Sequence, residues 1–257
     1  MAAPTTLFQR HIGIDYSGAG APESRLPGIR VFESSPLLPP HEVRFGHHWS
    51  RRELAQWLSH EINSQGPAII GIDHGFSFPL AYMEKYNLGP TWGDLLIDFT
   101  THWPTAALGA RVSDIRKGSG AARLGSPRWK RLCEYRSGSA KSVFHFGVPG
   151  SVAHSTHAGI PWLHNFRTLF ASSIHFWPFD NWAPRPGVSV IAEIYPSLWK
   201  SRYPRPDLTG DQLDAFATSS WLRDADISGE LSAAFHPNLT SHERVQAGLE
   251  GWILGVY

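Results

Sequence analysis

Two short apolar runs that each end in an aspartate constrain this chain more than any other feature. Ala68-Ile69-Ile70-Gly71-Ile72-Asp73 is apolar at every position before the last. That is the pattern of a strand buried on both faces, an interior strand of a largely parallel sheet covered by helices. His11-Ile12-Gly13-Ile14-Asp15 reads as a second such strand, with Tyr16-Ser17-Gly18-Ala19-Gly20 supplying the turn that follows it. Residues 29–32 and 42–45 predict two further strands, which with the first would form an antiparallel meander. Residues 50–63 predict a helix, because Ser50 and Glu53 form a capping box ahead of Leu54, Trp57, Leu58 and Ile62 at helical spacing. Residues 188–195 return to strand character with Glu193 inside, and Pro196 ends them. Helices are expected from Thr209 to about Asp226 and over 241–254. The pattern implies an α/β fold, a mixed sheet flanked by helices.

The chain has 257 residues, 42% of them hydrophobic, which suits one large domain. Its core is expected over 9–75 and 188–257, with 76–187 as a long inserted middle segment containing helices near 92–103 and 162–172. Eleven Trp and 20 Pro predict aromatic-pinned loops there. Nine basic and two acidic side chains fall within 111–141, while the whole chain carries +1, so the remainder is net acidic. A uniformly basic nucleic-acid protein is thereby excluded, and any binding surface must come from segregated charge. The expectation is a basic flap over 111–141, bracketed by Gly118-Ser119-Gly120 and Ser137-Gly138-Ser139, in which Arg116, Lys117, Arg123, Arg128, Lys130, Arg131 and Lys141 would meet a DNA or RNA backbone and Trp129 and Tyr135 would stack or anchor.

The acids form the informative constellation. Asp15 and Asp73 end strands, and ligand sites form at the C-terminal ends of parallel strands. Glu193 lies between apolar neighbours in a third strand, where a carboxylate needs a partner. Asp211 and Asp214 are three residues apart and share a helix face. Taken singly, an aspartate after a strand can cap a turn, and one in a first helical turn answers to the helix dipole. Converging in one cleft, such carboxylates would repel one another unless cations neutralised them, and an all-oxygen donor set suits Mg²⁺ or Mn²⁺.

The series GIDYSG, AIIGIDHGFSFP, AEIYPSLW, DQLDAFATSSWL and EGWILGV resembles the domain-of-unknown-function family 429, predicted nucleases of the RNase H-like superfamily. The resemblance spans most of the chain. It implies an RNase H-like mixed sheet with acids from the first strand, the fourth strand, a later strand and the last core helix, here Asp15, Asp73, Glu193 and Asp214. The spacing of Asp211 and Asp214 is also similar to that of the helix supplying two acids in Holliday-junction resolvases. The implied activity is metal-dependent phosphodiester hydrolysis with two ions about 3.5 to 4 Å apart, bridged by Asp15.

Two other functions fit parts of the chain. GIDYSG also suits an actin-like or sugar-kinase-type ATP-dependent phosphotransferase, although the sequence has no Gly-Gly pair for an adenosine loop. A non-catalytic nucleic-acid-binding scaffold is the other. His74 is an auxiliary candidate to orient a water or touch a phosphate. His47-His48 and His154-Ser155-Thr156-His157 lack a third ligand at metal spacing, and the turns beside Lys141 lack Walker spacing. Cys133 is the one cysteine, so no disulfide framework exists and a cytoplasmic location is expected. The opening MAAPTTLFQR has no signal-peptide pattern, and no apolar run is long enough for a membrane helix, so no membrane partner is expected.

Overall fold

The computed structural model describes residues 6–44, 46–64, 66–118 and 122–257. In chain order the elements are β1 (Arg10–Asp15), β2 (Arg30–Ser34), β3 (His41–Glu42), α1 (Arg51–Ser64), β4 (Ala68–Asp73), α2 (Leu80–Lys85), α3 (Trp92–His102), α4 (Val112–Lys117), α5 (Leu132–Arg136), α6 (Ala153–Phe170), β5 (Ile174–Trp177), β6 (Ser189–Glu193), α7 (Gly210–Ser228), α8 (Glu230–Ala234) and α9 (Ser241–Glu250). The strands make one mixed sheet in the order β3-β2-β1-β4-β6-β5. The first three form the expected antiparallel meander, although β3 starts at His41 and ends at Glu42 where 42–45 was expected, whereas β1, β4, β6 and β5 run parallel. Phe45, expected at the end of the third strand, lies outside the described residues.

The middle segment gives the sheet more than its sequence suggests. Ile174–Trp177, within the segment whose aromatics predict pinned loops, is the edge strand β5, paired parallel to β6. Helix α6 begins at Ala153, well before residue 162, and runs through Pro161. Proline at that position removes the N–H that would bond the carbonyl of His157. Thr105 Oγ1 donates to that carbonyl instead, at 2.6 Å, so the helix continues with its backbone satisfied.

Side chains on the two sheet faces fill two cores. Ile12, Ile14, Ile70, Ile72 and Ile191 face α1, α3 and α6, while Ile69, Val190, Ala192 and Ile194 pack with Trp221 and Leu222 of α7 and with Trp252. Strand side chains alternate between faces, so Gly13 and Asp15 share one face, as do Gly71 and Asp73, and it is the face on which α7 lies. In the parallel register Gly13 sits beside Gly71 and Asp15 beside Asp73. A Cβ on Gly13 would lie 2.3 Å from the Ala215 carbonyl oxygen and 2.6 Å from Ser219 N; on Gly71 it would meet Ile194 at 2.9 Å and Thr218 at 3.0 Å. The paired glycines form a trough that lets the α7 backbone rest on the sheet. Ser219 Oγ then donates to the His11 carbonyl at 2.9 Å, and Asp226 near the far end of α7 accepts from Leu7 N and Phe8 N and pairs with His11 Nε2. Thr209 caps α7 through a capping box with Gln212, and Gly229 ends it in the left-handed region. No described helix is long and apolar enough to cross a membrane.

Gly13→Ala should cost about 1–3 kcal/mol or more, the range for overpacking a close contact, as read by chemical denaturation. Gly210→Ala, where an added Cβ meets nothing within 4 Å, should change stability by less than about 1 kcal/mol. Equal effects at the two positions would show that the trough does not govern the seating of α7.

Candidate metal centre

Because α7 lies on the glycine-bearing face, Asp214, one residue before the Ala215 carbonyl that faces Gly13, comes down beside the two strand-end aspartates. Oxygens of Asp15, Asp73 and Asp214 lie within 4.8 Å of one another, an arrangement that can hold a metal ion. All three are half-buried. Burial, followed by the charges of Asp73, Asp211 and Asp214, pushes the Asp15 carboxyl up to about 9. Burial, with Asp214 and Glu193, pushes Asp73 up to about 8 against the opposing pull of Lys200. Asp214 is raised by burial and Asp211, while Lys200 opposes. The Lys200 ammonium donates to Asp214 at 3.0 Å. It is the countercharge of the cluster, and it follows directly on the quoted AEIYPSLW.

The remaining predicted ligands lie elsewhere. Asp211 is exposed, with Oδ2 3.6 Å from where a Gly28 Cβ would sit, and belongs to a cleft wall beside the cluster. Glu193 does not join the three aspartates. It pairs in register with Ile72, so it points to the face opposite Asp73; Ile194 follows Glu193 as Asp73 follows Ile72. There Glu193 is 3% exposed and receives both ends of the Arg131 guanidinium at 2.6 and 2.7 Å, together with Phe76 N at 3.0 Å. The carboxylate does have the partner its apolar surroundings require, and that partner is an arginine. His74 faces away too. Its Nδ1 donates to the Gly75 carbonyl at 2.9 Å, and the ring presses against Gly159, where a Cβ would meet Nε2 at 2.4 Å. Burial lowers its pKa to about 4, so it is a neutral packing residue.

The basic segment is not a free arm. Arg131, expected on a nucleic-acid surface, is 1% exposed and is bound by Glu193 and Glu134, and Glu250 accepts from Leu80 N and Leu132 N beside it. Arg123 pairs with Asp98, Lys130 donates to the Ala140 carbonyl and Lys141 to that of Pro149. Arg116 stacks on Phe146 at 4.4 Å. Lys117 and Arg128 are exposed. Ser119 and Gly120 of the first bracketing turn lie outside the described residues. Trp129 packs edge-on to Phe144, and Tyr135 is exposed.

A cleft of about 620 Å³ opens beside Asp15, lined among others by Ser17, Arg111, Ser151, His154 and Asp211. Arg111, Ser151 and Lys200 were not singled out from sequence, because the approach of Arg111 and Ser151 to the cleft and of Lys200 to Asp214 depends on how α4, α6 and the turn after β6 fold back on the strand ends. No protein-family model, curated protein or solved structure matches the chain.

The raised aspartates keep protons in the folded chain at pH values where the unfolded chain, with aspartates near pH 3.9, has lost them. Their stabilising contribution is full below about pH 4 and is lost as the pH climbs through 8 to 9. The melting temperature of metal-free protein should therefore fall between pH 6 and 9, less so in Asp15→Asn. A divalent cation, which displaces those protons, should raise the melting temperature more at pH 8.5 than at pH 6. An equal cation response in wild type and Asp15→Asn would remove the cluster as the site. Arg131→Met, which strands two buried glutamates, should cost about 3–5 kcal/mol, whereas Arg128→Ala should be close to neutral in the same melts.

Proposed function

We propose that this chain is a divalent-metal-dependent nuclease, hydrolysing phosphodiester bonds of DNA or RNA, with Mg²⁺ or Mn²⁺ held by Asp15, Asp73 and Asp214 on an RNase H-like sheet. The observation that carries the reading is the convergence of the three carboxylates from two adjacent parallel strand ends and one helix. Their donor atoms are all oxygen, which suits a hard cation, and burial followed by mutual repulsion raises their pKa values, both of which a bound cation offsets. A divalent ion there supplies charge neutralisation at a phosphoryl group and activation of a water. The chain supplies the rest. Lys200 orients Asp214, the Arg131–Glu193 pair braces the backbone after Asp73 through Phe76 N, and the cleft beside Asp15 admits the substrate. Asp211, on the cleft wall, is a further carboxylate whose charge acts on Asp15 and Asp214 and which a second ion could use.

The small-residue turn after Asp15, which also suggested ATP chemistry, answers to packing. A Cβ on Gly18 would lie 2.0 Å from the His154 carbonyl oxygen, so its glycine is required by α6 whether or not a phosphate is present. This favours the nuclease over the phosphotransferase.

Purified protein should cut a labelled oligonucleotide with Mg²⁺ or Mn²⁺ and stop with a chelator, and Asp15→Asn should slow cleavage at least about 100-fold. ATP turnover without cleavage would replace the reading with a phosphotransferase. Binding that survives in Asp15→Asn, with no cleavage by either protein, would make the chain a scaffold.

A further inference from the structure

The cleft beside the carboxylates is divided in charge. Asp15 and Asp211 line it together with Arg111. Arg111 is the residue from which α4 starts; its backbone is extended, and the helix is seated by the buried Val112. Its carbonyl accepts from Asp114 N and Ile115 N at 3.1 Å, which fixes the root of the side chain. Its guanidinium has no hydrogen bond or ion pair among the described residues. Its neighbours in the basic segment differ, since Arg123, Arg131 and Arg136 are each held by an acid. Among the described residues four serines line the cleft, of which Ser113 donates to Asp114 and Ser155 to the Val152 carbonyl. Ser17 Oγ accepts from Ala19 N and Ser151 Oγ from Ala153 N, so both O–H groups are left to donate.

A ligand that satisfies both parts of this cleft carries at least two anionic groups, one opposite the cation-binding carboxylates and one opposite a free guanidinium. We propose that Arg111, with Ser17 and Ser151, forms a phosphate subsite that holds the phosphate adjoining the one presented to Asp15, Asp73 and Asp214. The proposal rests on the nuclease reading and deepens it: the substrate is a strand with consecutive phosphates. A guanidinium suits that task, because its planar fork meets two phosphate oxygens at once. The sequence counted Arg111 only within a charge run, yet among the cations of that run it is the one lining the cleft beside Asp15.

The test is the affinity of a fluorescent single-stranded oligonucleotide, measured across salt concentrations with Ca²⁺ so that binding is read without cleavage. Arg111→Gln should weaken binding about tenfold and make the log–log salt slope shallower by about 0.7, one single-strand phosphate contact. Arg52→Gln, an exposed arginine outside the cleft, should weaken it less than threefold. The cation-induced rise in melting temperature should persist in Arg111→Gln, showing that the fold and the cluster are intact. If Arg111→Gln binds like wild type, or loses no more than Arg52→Gln, while wild type still cuts with Mg²⁺, the subsite is overturned and the nuclease reading stands. If wild type neither binds nor cuts the strand, both fall.

Discussion

The seating of α7 on the glycines of β1 and β4 is the contact on which the rest of the structure depends. Gly13 and Gly71 are neighbours in the register, and together they remove the side chains that would otherwise hold a helix at the usual distance from a sheet. The helix backbone at Ala215 and Ser219 comes within van der Waals reach of Gly13, while the Thr218 and Leu222 side chains fill the space over Gly71. Two residues beyond each glycine, on the same face, stands an aspartate. The close approach therefore brings a third carboxylate, Asp214, to the other two. Packing and chemistry here share one geometric cause.

The arrangement carries an electrostatic cost that the chain only partly offsets by itself. Three half-buried carboxylates face one ammonium, Lys200, which touches one of them. On the reverse face the balance differs, since Arg131 meets Glu193 and Glu134 with every strong donor and acceptor engaged. One side of the strand ends is thus a closed ionic joint that ties the middle segment to the sheet, and the other is an open cluster in which three acids share one ammonium. This contrast between a saturated and an unsaturated set of acids distinguishes the second as the one that could hold a metal ion.

Much of the frame was legible in the sequence. The meander, the capping box of α1, the strands at 68–73 and 189–193, and the start of α7 at its Thr209 cap follow from local patterns whose causes are local. Three of the four acids implied by the family resemblance meet in space. Glu193 does not, and the reason is strand parity: Asp15 and Asp73 each follow a glycine by two positions, whereas Glu193 follows Ala192, the residue paired with Gly71, by one. That signal was present in the letters as the repeated Gly-Ile-Asp. The burial of Arg131 was not, because a basic run looks solvated until its long-range acidic partner is known. The length of α6 was hidden by Pro161, whose cost is met by a hydroxyl from Thr105, far away in sequence.

Besides the contacts of Ser219 at its middle, helix α7 is fastened toward both ends, by Asp226 to the backbone before β1 and to His11, and by Asp214 with Lys200 at the cluster. Twelve residues separate the two aspartates, about 18 Å of helix. A rod pinned at both ends cannot slide along its bed. Slippage by one residue, about 1.5 Å, would break the clasp on Leu7 and Phe8 and spread the carboxylates together. The spacing of the three carboxylates is accordingly set in part from the far end of the helix, about three turns from the oxygens it positions.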